Sequence, residues 1–481
     1  MIREANACGR KWGAAVLLLV LSGWACARPK APPPPFAVHP GGNGVWFAEG
    51  FAATEDPVAA EEALSRAGFA WVLLPGARIE RAGGGWIVVK RDPPGRPFAH
   101  SPVCLVVEGG EEVAAALASP DAGVRRDLEN AVALAVQTAL AQRGRFGPVA
   151  GIHLDLPFTA ATALHYGDLL RRLRPRLPSG AFLSVSLKFD SQPGDREKLE
   201  SVASAADGLV AMVFGEEGRA SPASADLLGR SWWVGYSPNA EGRWTGARGG
   251  GFLPESFLAR LSDDPAFEFR HDMDVEEKDG LGYIFRARRA LTFEGRRFSA
   301  GDQIVFRQPS MADMIRRFGS ELAGWRFARG RVIRLAGKSE SERIFTLAAL
   351  SEVLVGHSLS PDLRVSIERG AGSVAVSAQN LSPLASILSQ TMNWIEVDLE
   401  RPGVRDVFPG GFDRYEVFTA GGRRVSLGRG ERVRFYETLV GPFEKIEPAV
   451  IVTLRPPPDG CCRFRLHLVA AAGPEVAADW R

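Results

Sequence analysis

Acidic residues follow several strand-like apolar runs in the first two-thirds of this chain. Glu49, Glu108 and Asp155 each lie at the end of such a run, and Glu216 comes just after a fourth. A pair of carboxyl groups across an open cleft can protonate a leaving oxygen with one member while the other attacks or activates water, which is the chemistry of glycoside hydrolysis. We predict Asp155 and Glu216 as this catalytic pair, with Glu108 as the substitute.

The direction of Asp155 follows from the alternation of residues 151–156. Ile152 and Leu154 fall on one face of a strand, whereas His153 and Asp155 fall on the other. Because helices cover the outside of a parallel barrel strand, the apolar face should meet the helices and Asp155 should point into the barrel mouth. A carboxylate there is costly unless it is paired or used.

Polar and aromatic residues in the neighbouring runs could line the same opening. A nearby histidine or ammonium would set the pKa values of the carboxyl groups, and aromatic rings suit the apolar faces of sugars. The predicted substrate-binding residues are Glu49, His153, Lys188, Trp232, Tyr236 and Arg334.

A purely structural interpretation competes with each assignment. Asp155 could form an internal ion pair with Lys188 or Arg334. Glu216 could lie in a solvated turn. Trp232 and the residue after it alternate in direction, so one of the two should pack under helices.

The elements that must position these residues alternate between strand and helix patterns from residue 45 to about residue 355. The segment 121–143, for example, repeats apolar residues at three- and four-residue spacing. Eight βα units in roughly 300 residues predict an α/β fold, a (β/α)8 TIM-like barrel. A doubly wound open sheet is the alternative, weakened by the lack of a Gly-x-Gly-x-x-Gly turn after the first strand. The predicted strands are 45–50, 69–74, 103–108, 149–156, 181–189, 208–214, 232–236 and 331–335.

Two segments depart from this pattern. Residues 267–310 resemble antiparallel strands joined by glycine-containing turns, which predicts a β-rich insertion in a barrel domain of residues 45–357. Residues 358–481 alternate over many short runs, which is typical of an all-β, sandwich-like domain.

The N-terminus has the parts of an export signal. Arg3, Arg10 and Lys11 form a basic region, and an apolar run over 13–21 precedes small residues and Cys26. This predicts a signal peptide over 1–26, followed by a proline-rich linker over 27–44. Cys26 could be the acylated residue of a lipoprotein, or an ordinary signal-peptidase site could lie here. The protein is therefore expected in the periplasm or anchored to a membrane by lipid.

Composition excludes several classes of function. The formal net charge is only +2, which gives no case for a nucleic-acid partner. The five cysteines form no disulfide framework, and the seven histidines show no metal-ligand spacing. With no phosphate-binding or zinc-binding motif either, we predict no metal and no cofactor.

Four segments resemble an exported bacterial family known as domain of unknown function three-one-four-two. They are Val-Ala-Gly-Ile-His-Leu-Asp at 149–155, Tyr-Gly-Asp-Leu-Leu-Arg-Arg-Leu-Arg-Pro-Arg-Leu-Pro at 166–178, Ala-Asp-Gly-Leu-Val-Ala-Met-Val-Phe at 206–214 and Gly-Asp-Gln-Ile-Val-Phe-Arg-Gln-Pro-Ser at 301–310. The resemblance implies a barrel like that of glycoside hydrolases and matches Asp155 to the family's strand-four aspartate. It implies no particular substrate or catalytic residue.

The fourth predicted strand is also similar to that of chitinase-like hydrolases, which repeat acidic residues along it and finish on a catalytic glutamate. Here Leu156 and Pro157 follow Asp155. This departure argues against a chitinase-type, substrate-assisted mechanism.

Two hypotheses follow for the function. The first is a cell-envelope enzyme that cleaves a poly- or oligosaccharide with paired carboxylates. The alternative is a non-catalytic envelope barrel that binds glycan or a partner protein through the same rim. Carboxyl groups about 5 to 10 Å apart across an open groove would favour hydrolysis, whereas Asp155 in a buried salt bridge would favour binding.

Overall fold

The computed structural model describes most of the chain from Phe36 onward, and this part is one compact unit. The predicted signal peptide, including Cys26, most of the linker and Glu216 lie outside the described residues. The described residues are 36, 39–52, 55–188, 195–213, 222–238, 241–246, 249–253, 256–272, 281–293, 295–308, 322, 324–338, 345–355, 357, 359, 362–400, 403–457, 462–469, 475–478 and 480.

The first half of the described chain builds a parallel sheet wrapped by helices. Its strands are β1 (Asn43–Phe47), β2 (Phe69–Ala82), β3 (Gly85–Lys90), β4 (Val103–Gly109), β5 (Val149–Asp155), β6 (Phe182–Leu187), β7 (Gly208–Met212) and β8 (Trp232–Tyr236). The helices between them are α1 (Pro57–Arg66), α2 (Glu111–Ala118), α3 (Ala122–Ala141), α4 (Ala163–Leu173), α5 (Arg196–Ala205) and α6 (Pro222–Leu227). Strand β3 is an antiparallel extension that pairs with the distal half of β2.

A second, antiparallel sheet interrupts this order. Its core contains buried aromatic side chains such as Tyr283, Phe285 and Phe306. The elements are β9 (Glu241–Gly246), β10 (Gly249–Leu253), α7 (Ser256–Asp263), β11 (Phe267–Asp272), β12 (Leu281–Ala287), β13 (Leu291–Phe293), β14 (Arg296–Phe298) and β15 (Gln303–Gln308).

Strand β16 (Ala328–Leu335) then closes the barrel, and α8 (Leu347–Leu354) follows it. Strand β1 pairs in parallel with both β16 and β2, so the eight parallel strands form a closed ring. This closure confirms the predicted (β/α)8 barrel and excludes the open doubly wound sheet.

Alternation along the barrel strands separates two apolar layers. Val45, Leu105 and Ile333 belong to the layer between strands and helices, whereas Trp46, Val106 and Val332 fill the barrel interior. Most strand residues are therefore buried on both faces, as expected for a parallel sheet covered by helices.

The C-terminal region is all-β and forms two antiparallel sheets that share one core, as predicted for a sandwich. The strands are β17 (Leu363–Arg369), β18 (Ser373–Asn380), β19 (Trp394–Asp398), β20 (Val404–Phe408), β21 (Arg414–Phe418), β22 (Arg432–Tyr436), β23 (Lys445–Thr453), β24 (Arg463–Val469) and β25 (Glu475–Ala478). One sheet has the order β17-β18-β23-β20 and the other β21-β22-β19-β24-β25.

Candidate active site

Two carboxyl groups lie side by side at the mouth of the barrel. Glu108 on β4 and Asp155 on β5 are register partners in the parallel ladder. Their neighbours Val107 and Leu154 pack outward against the helices, so both acids project from the inner face. Because adjacent strands are about 4.8 Å apart, register partners on one face are immediate neighbours.

Each carboxylate has its own cation. The Lys188 ammonium lies 2.7 Å from Oδ1 of Asp155, and the side chain of Asp155 is 12% exposed. On the other side, Nη2 of Arg91 donates a hydrogen bond of 3.2 Å to Oε2 of Glu108. The predicted ion pair between Asp155 and Lys188 is therefore present.

The two neighbouring acids differ in electrostatic environment. Burial, and next the charge of Asp155, raise the pKa of Glu108 above its ordinary value, although Arg91 and Arg334 act against this. Burial would also raise the pKa of Asp155, but the charge and hydrogen bond of Lys188 hold it below its ordinary value. When the pair holds one proton, these opposite shifts therefore place the proton on Glu108 and the negative charge on Asp155.

Below Asp155, the buried His153 side chain bridges two serines of β6. Its Nδ1 and Nε2 each lie 2.9 Å from a hydroxyl oxygen, that of Ser184 and that of Ser186 respectively. Burial lowers the pKa of His153 to about 4, so the ring is neutral at neutral pH. The hydroxyl of Ser186 also forms a hydrogen bond to Asp155 that lowers the pKa of this carboxyl group.

This arrangement assigns the proton on the imidazole. If the hydroxyl of Ser186 donates to the ionised Asp155, its oxygen is left to accept from His153, so Nε2 carries the hydrogen. Nδ1 then accepts from Ser184. A single hydrogen-bond chain runs from Ser184 through His153 and Ser186 to Asp155.

The opposite wall of the mouth carries an aromatic ring and a guanidinium. Trp46 on β1 meets the ring of His153 edge-on, with 5.3 Å between ring centroids. The guanidinium of Arg334, from β16, lies 5.5 Å from the Trp46 ring centroid. The charge of Arg334 also acts on Glu108, where it lowers the pKa of the carboxyl group.

Three other predicted binding residues are not brought to this cluster. Trp232 and Tyr236 lie in the layer between strands and helices, and Nε1 of Trp232 donates 3.0 Å to Oδ1 of Asp226. Residues 232, 234 and 236 lie on one face of β8, and Val234 also faces the helices, so Trp232 and Tyr236 must point outward with it. Glu49 lies half-buried in the turn after β1 and forms no ion pair with another described residue.

The structure adds participants that the sequence did not indicate. Arg91 follows the β3 hairpin, and only the folding of that extension over the rim brings it to Glu108. Trp46 lies in an apolar run, and every residue of β1 from Gly44 onward is buried, so the sequence does not distinguish the face of β1 that lines the barrel interior. Tyr166 on α4 is buried, stacks on Phe158 with 4.3 Å between ring centroids, and has a raised pKa because of burial and the charge of Asp155.

Within the described ranges, no three His, Cys, Asp or Glu side chains come together as a metal site. Within the same ranges no helix is long and apolar enough to cross a membrane.

Comparison with known proteins gives only distant likenesses. No protein-family model and no curated protein sequence matches this chain. Among solved structures, the spore cortex-lytic enzyme SleL of Bacillus cereus is 14% identical, with 68% of this chain and 77% of that chain covered and a TM-score of 0.35.

Two further structures are similarly distant. The chitinase ChiW of Paenibacillus sp. str. FPU-7 is 12% identical, with 92% of this chain but 56% of that chain covered and a TM-score of 0.37. A glycoside hydrolase family 18 N-acetylglucosaminidase of Paenibacillus barengoltzii is 12% identical, with 65% of this chain and 99% of that chain covered and a TM-score of 0.34. Because these TM-scores are low, the barrel is defined by the pairing of its own strands and not by similarity to these structures.

Proposed function

We propose that this protein is an exported carbohydrate-active enzyme that hydrolyses glycosidic bonds at the barrel mouth. In this proposal Glu108 is the general acid and Asp155 is the ionised carboxylate. The observation that carries it is the register pairing of these two acids on the inner face of adjacent strands.

The spacing of the pair suits one stereochemical course. Retaining glycosidases place their two carboxyl groups about 5 to 5.5 Å apart, and inverting enzymes leave a wider gap for water. Because Glu108 and Asp155 are register partners on adjacent strands, their side chains start close together and favour the narrow spacing, so we propose a retaining reaction.

The reaction can be written with residues of this cluster. Glu108 gives its proton to the leaving oxygen as the bond to the anomeric carbon breaks, and Asp155 attacks that carbon to form a glycosyl ester. Glu108, now ionised, then takes a proton from water as the water displaces Asp155, which restores both groups. Lys188 and the chain through Ser186 keep Asp155 ionised between turnovers.

Export, lipid attachment at Cys26 and membership of the exported family of unknown function complete the proposal. The basic and apolar residues before Cys26 support the first two parts, and the four matching segments support the third. Glu216 remains a candidate from the sequence alone.

A second candidate function is a non-catalytic barrel that binds glycan. The contact of 2.7 Å between Lys188 and Asp155 favours it, because an ion pair satisfies a rim carboxylate without catalysis. In that case the paired charges would orient a ligand that is never cleaved.

The first experiment measures new reducing ends released from a panel of envelope and plant polysaccharides. Glu108→Gln and Asp155→Asn should each lower turnover at least about 100-fold, the scale of general acid or nucleophile loss. The matched control is Glu111→Gln, an exposed acid in the first turn of α2. Circular dichroism and melting temperature establish that each variant is folded.

Two results would favour the second candidate. The first is calorimetric binding of an oligosaccharide without release of reducing ends. The second is a fall in melting temperature for Asp155→Asn with no change in ligand affinity, which would make Asp155 a structural ion-pair partner.

A further inference from the structure

One face of the C-terminal sandwich carries an ordered array of arginines, acids and aromatic rings. Alternation along β19 turns Ile395 and Val397 into the sandwich core, so Trp394, Glu396 and Asp398 point away from it. Strand β19 is central in its sheet, with β22 on one side and β24 on the other. Each of these three residues therefore has a register partner on both flanks.

The middle row of this array is Arg434–Glu396–Arg465. Nε and Nη2 of Arg434 donate to Oε2 of Glu396 at 2.9 and 2.7 Å. Nε and Nη2 of Arg465 donate to Oε1 at 3.1 and 2.8 Å. The carboxylate of Glu396 is only 2% exposed, so both guanidiniums are held in fixed orientations over it.

The second row, Arg432–Asp398–Arg463, repeats the pattern more loosely. Nε of Arg432 lies 3.2 Å from Oδ2 of Asp398, and Nη2 of Arg463 lies 3.9 Å from the same oxygen. Each row thus holds two guanidiniums for one carboxylate.

Two further carboxylates border the rows: Nε of Arg463 lies 3.6 Å from Oε1 of Glu400, and Glu416, the register partner of Arg434 on β21, pairs with Arg414 and Arg424. These six guanidiniums and four carboxylates leave a formal surplus of two positive charges.

The third row is aromatic: Tyr436–Trp394–His467. Trp394 and His467 stack with 5.5 Å between ring centroids and 12° between their planes. The guanidinium of Arg434 lies 4.2 Å from the Trp394 ring centroid. Near the C-terminus, the Trp480 ring lies 4.9 Å from the guanidinium of Arg465, which is thus flanked by two indoles.

We propose that this array, here called the guanidinium face, binds an acidic oligosaccharide. The sugar carboxylates would lie on the two arginine rows and an adjoining sugar ring against the aromatic row. This inference does not depend on the proposed hydrolysis in the barrel.

Three physical features support this ligand class. Guanidiniums outnumber carboxylates on this face by two, so the face attracts an anion even though Arg463 also pairs with Glu400. Guanidiniums fixed by paired hydrogen bonds lose little side-chain entropy on binding, and their remaining N–H groups match the planar geometry of a carboxylate. In the aromatic row Tyr436 is only 5% exposed, but the half-buried rings of Trp394 and His467 add a surface for a sugar, which a simple phosphate polymer would not use.

The test is calorimetric titration of the chain lacking residues 1–26 with oligogalacturonate and with its methyl ester. We expect the acidic oligomer to bind, more weakly as salt rises, and the neutral ester to bind at least about tenfold more weakly. Arg463→Gln should lower the affinity for the acid about tenfold. It is the mildest substitution, since Arg463 is half exposed and Arg432 would still pair with Asp398.

Arg364→Gln is the matched control, because this exposed arginine lies on β17 of the other sheet. Three results would overturn the proposal: equal binding of the methyl ester, equal losses from Arg463→Gln and Arg364→Gln, or equally tight binding of polyphosphate. The last would mean a general polyanion surface without sugar recognition. None of these readouts requires turnover, so they are independent of the reducing-end assay.

Discussion

At the scale of single residues, the barrel mouth shows how two neighbouring carboxyl groups acquire opposite character. Glu108 and Asp155 share a register position but differ in their surroundings. Asp155 contacts the ammonium of Lys188 and the hydroxyl of Ser186, whereas Glu108 experiences the negative charge of Asp155. Environments that separate two pKa values in this way distinguish an acid from a base or nucleophile.

The proposed division of roles, with Glu108 as the acid and Asp155 as the nucleophile, predicts a dependence on the leaving group. An aryl glycoside with a nitrophenol leaving group needs little protonation, so Glu108→Gln should retain most of its rate of bond cleavage there while losing at least about 100-fold on an unactivated glycan. Asp155→Asn should be impaired on both. Pre-steady-state release of nitrophenol measures the difference, and equal losses by Glu108→Gln on both substrates would remove Glu108 as the acid.

His153 makes a prediction that needs no substrate. Its pKa is about 4 in the folded protein and about 6.5 in an unfolded chain, so the unfolded state binds the proton more readily. Stability from this group is complete above pH 6.5 and is lost as the pH falls toward 4. The full loss would be about 3 kcal/mol.

Denaturant unfolding of wild type and His153→Gln at several pH values tests this. The wild type should lose more stability than the variant between pH 6.5 and pH 4. Equal losses would mean that His153 is protonated in the folded barrel. Nitrogen-15 chemical shifts of the imidazole at pH 7 should also show hydrogen on Nε2, and hydrogen on Nδ1 would contradict the chain to Asp155.

At the scale of elements, close approach of β5 and β6 places the site. A Cβ added at Gly151 would lie 1.9 Å from the carbonyl oxygen of Phe182, so any side chain there must push the two strands apart. The same strands carry His153 and the two serines that it contacts.

Gly151→Ala should therefore destabilise the barrel by about 3 kcal/mol, the upper range for an overpacked core, and should weaken the bridge from His153 to β6. Gly144→Ala is the control, because a Cβ there meets no atom within 4 Å. Chemical denaturation compares the two variants. A Gly151→Ala barrel as stable as the control would show that β5 and β6 can separate at little cost.

The same elements show what the sequence could and could not predict. All eight barrel strands were located, because residues such as those of β5 are buried on both faces and read as apolar runs bounded by turns. The outer half of β2 and all of β3 were missed, since β3 is partly exposed and its pattern is weak. Strands β9 and β10 were missed as well, because five of their eleven residues are Gly, which is depleted in strands.

The sequence predicted those parts of the candidate site in which the alternation of residues along a strand decides the direction of a side chain. This alternation predicted that Asp155 and His153 point into the barrel, and Lys188 was identified as a possible partner of Asp155. The direction of Trp232 and Tyr236 was harder to predict, because β8 carries apolar residues on both faces and its sequence does not distinguish them. Arg91 depends on a long-range fold of the β2–β3 hairpin, for which the local sequence has no signal.

At the scale of the whole molecule, the segment after β18 joins the barrel to the sandwich. Leu384 and Ala385 belong to the barrel's helix-facing core, and Leu388 belongs to the core of the inserted sheet. Nδ2 of Asn380 donates 2.8 Å to the carbonyl oxygens of both Leu384 and Gly441. The buried Asn393 similarly holds the far end of the segment.

Because this short segment packs into the barrel core and into the core of the inserted sheet, loss of its packing should destabilise the barrel as well as the sandwich. Leu384→Ala leaves a cavity in a fully buried site, which costs about 2 to 5 kcal/mol, and the barrel and sandwich should unfold together at a lower temperature. Leu454→Ala, at a side chain that is 57% exposed, is the control and should leave the melting temperature nearly unchanged. Differential scanning calorimetry measures both. Two separate transitions, of which Leu384→Ala shifts only one, would instead make the barrel and the sandwich independent folding units whose contact through this segment contributes little to either.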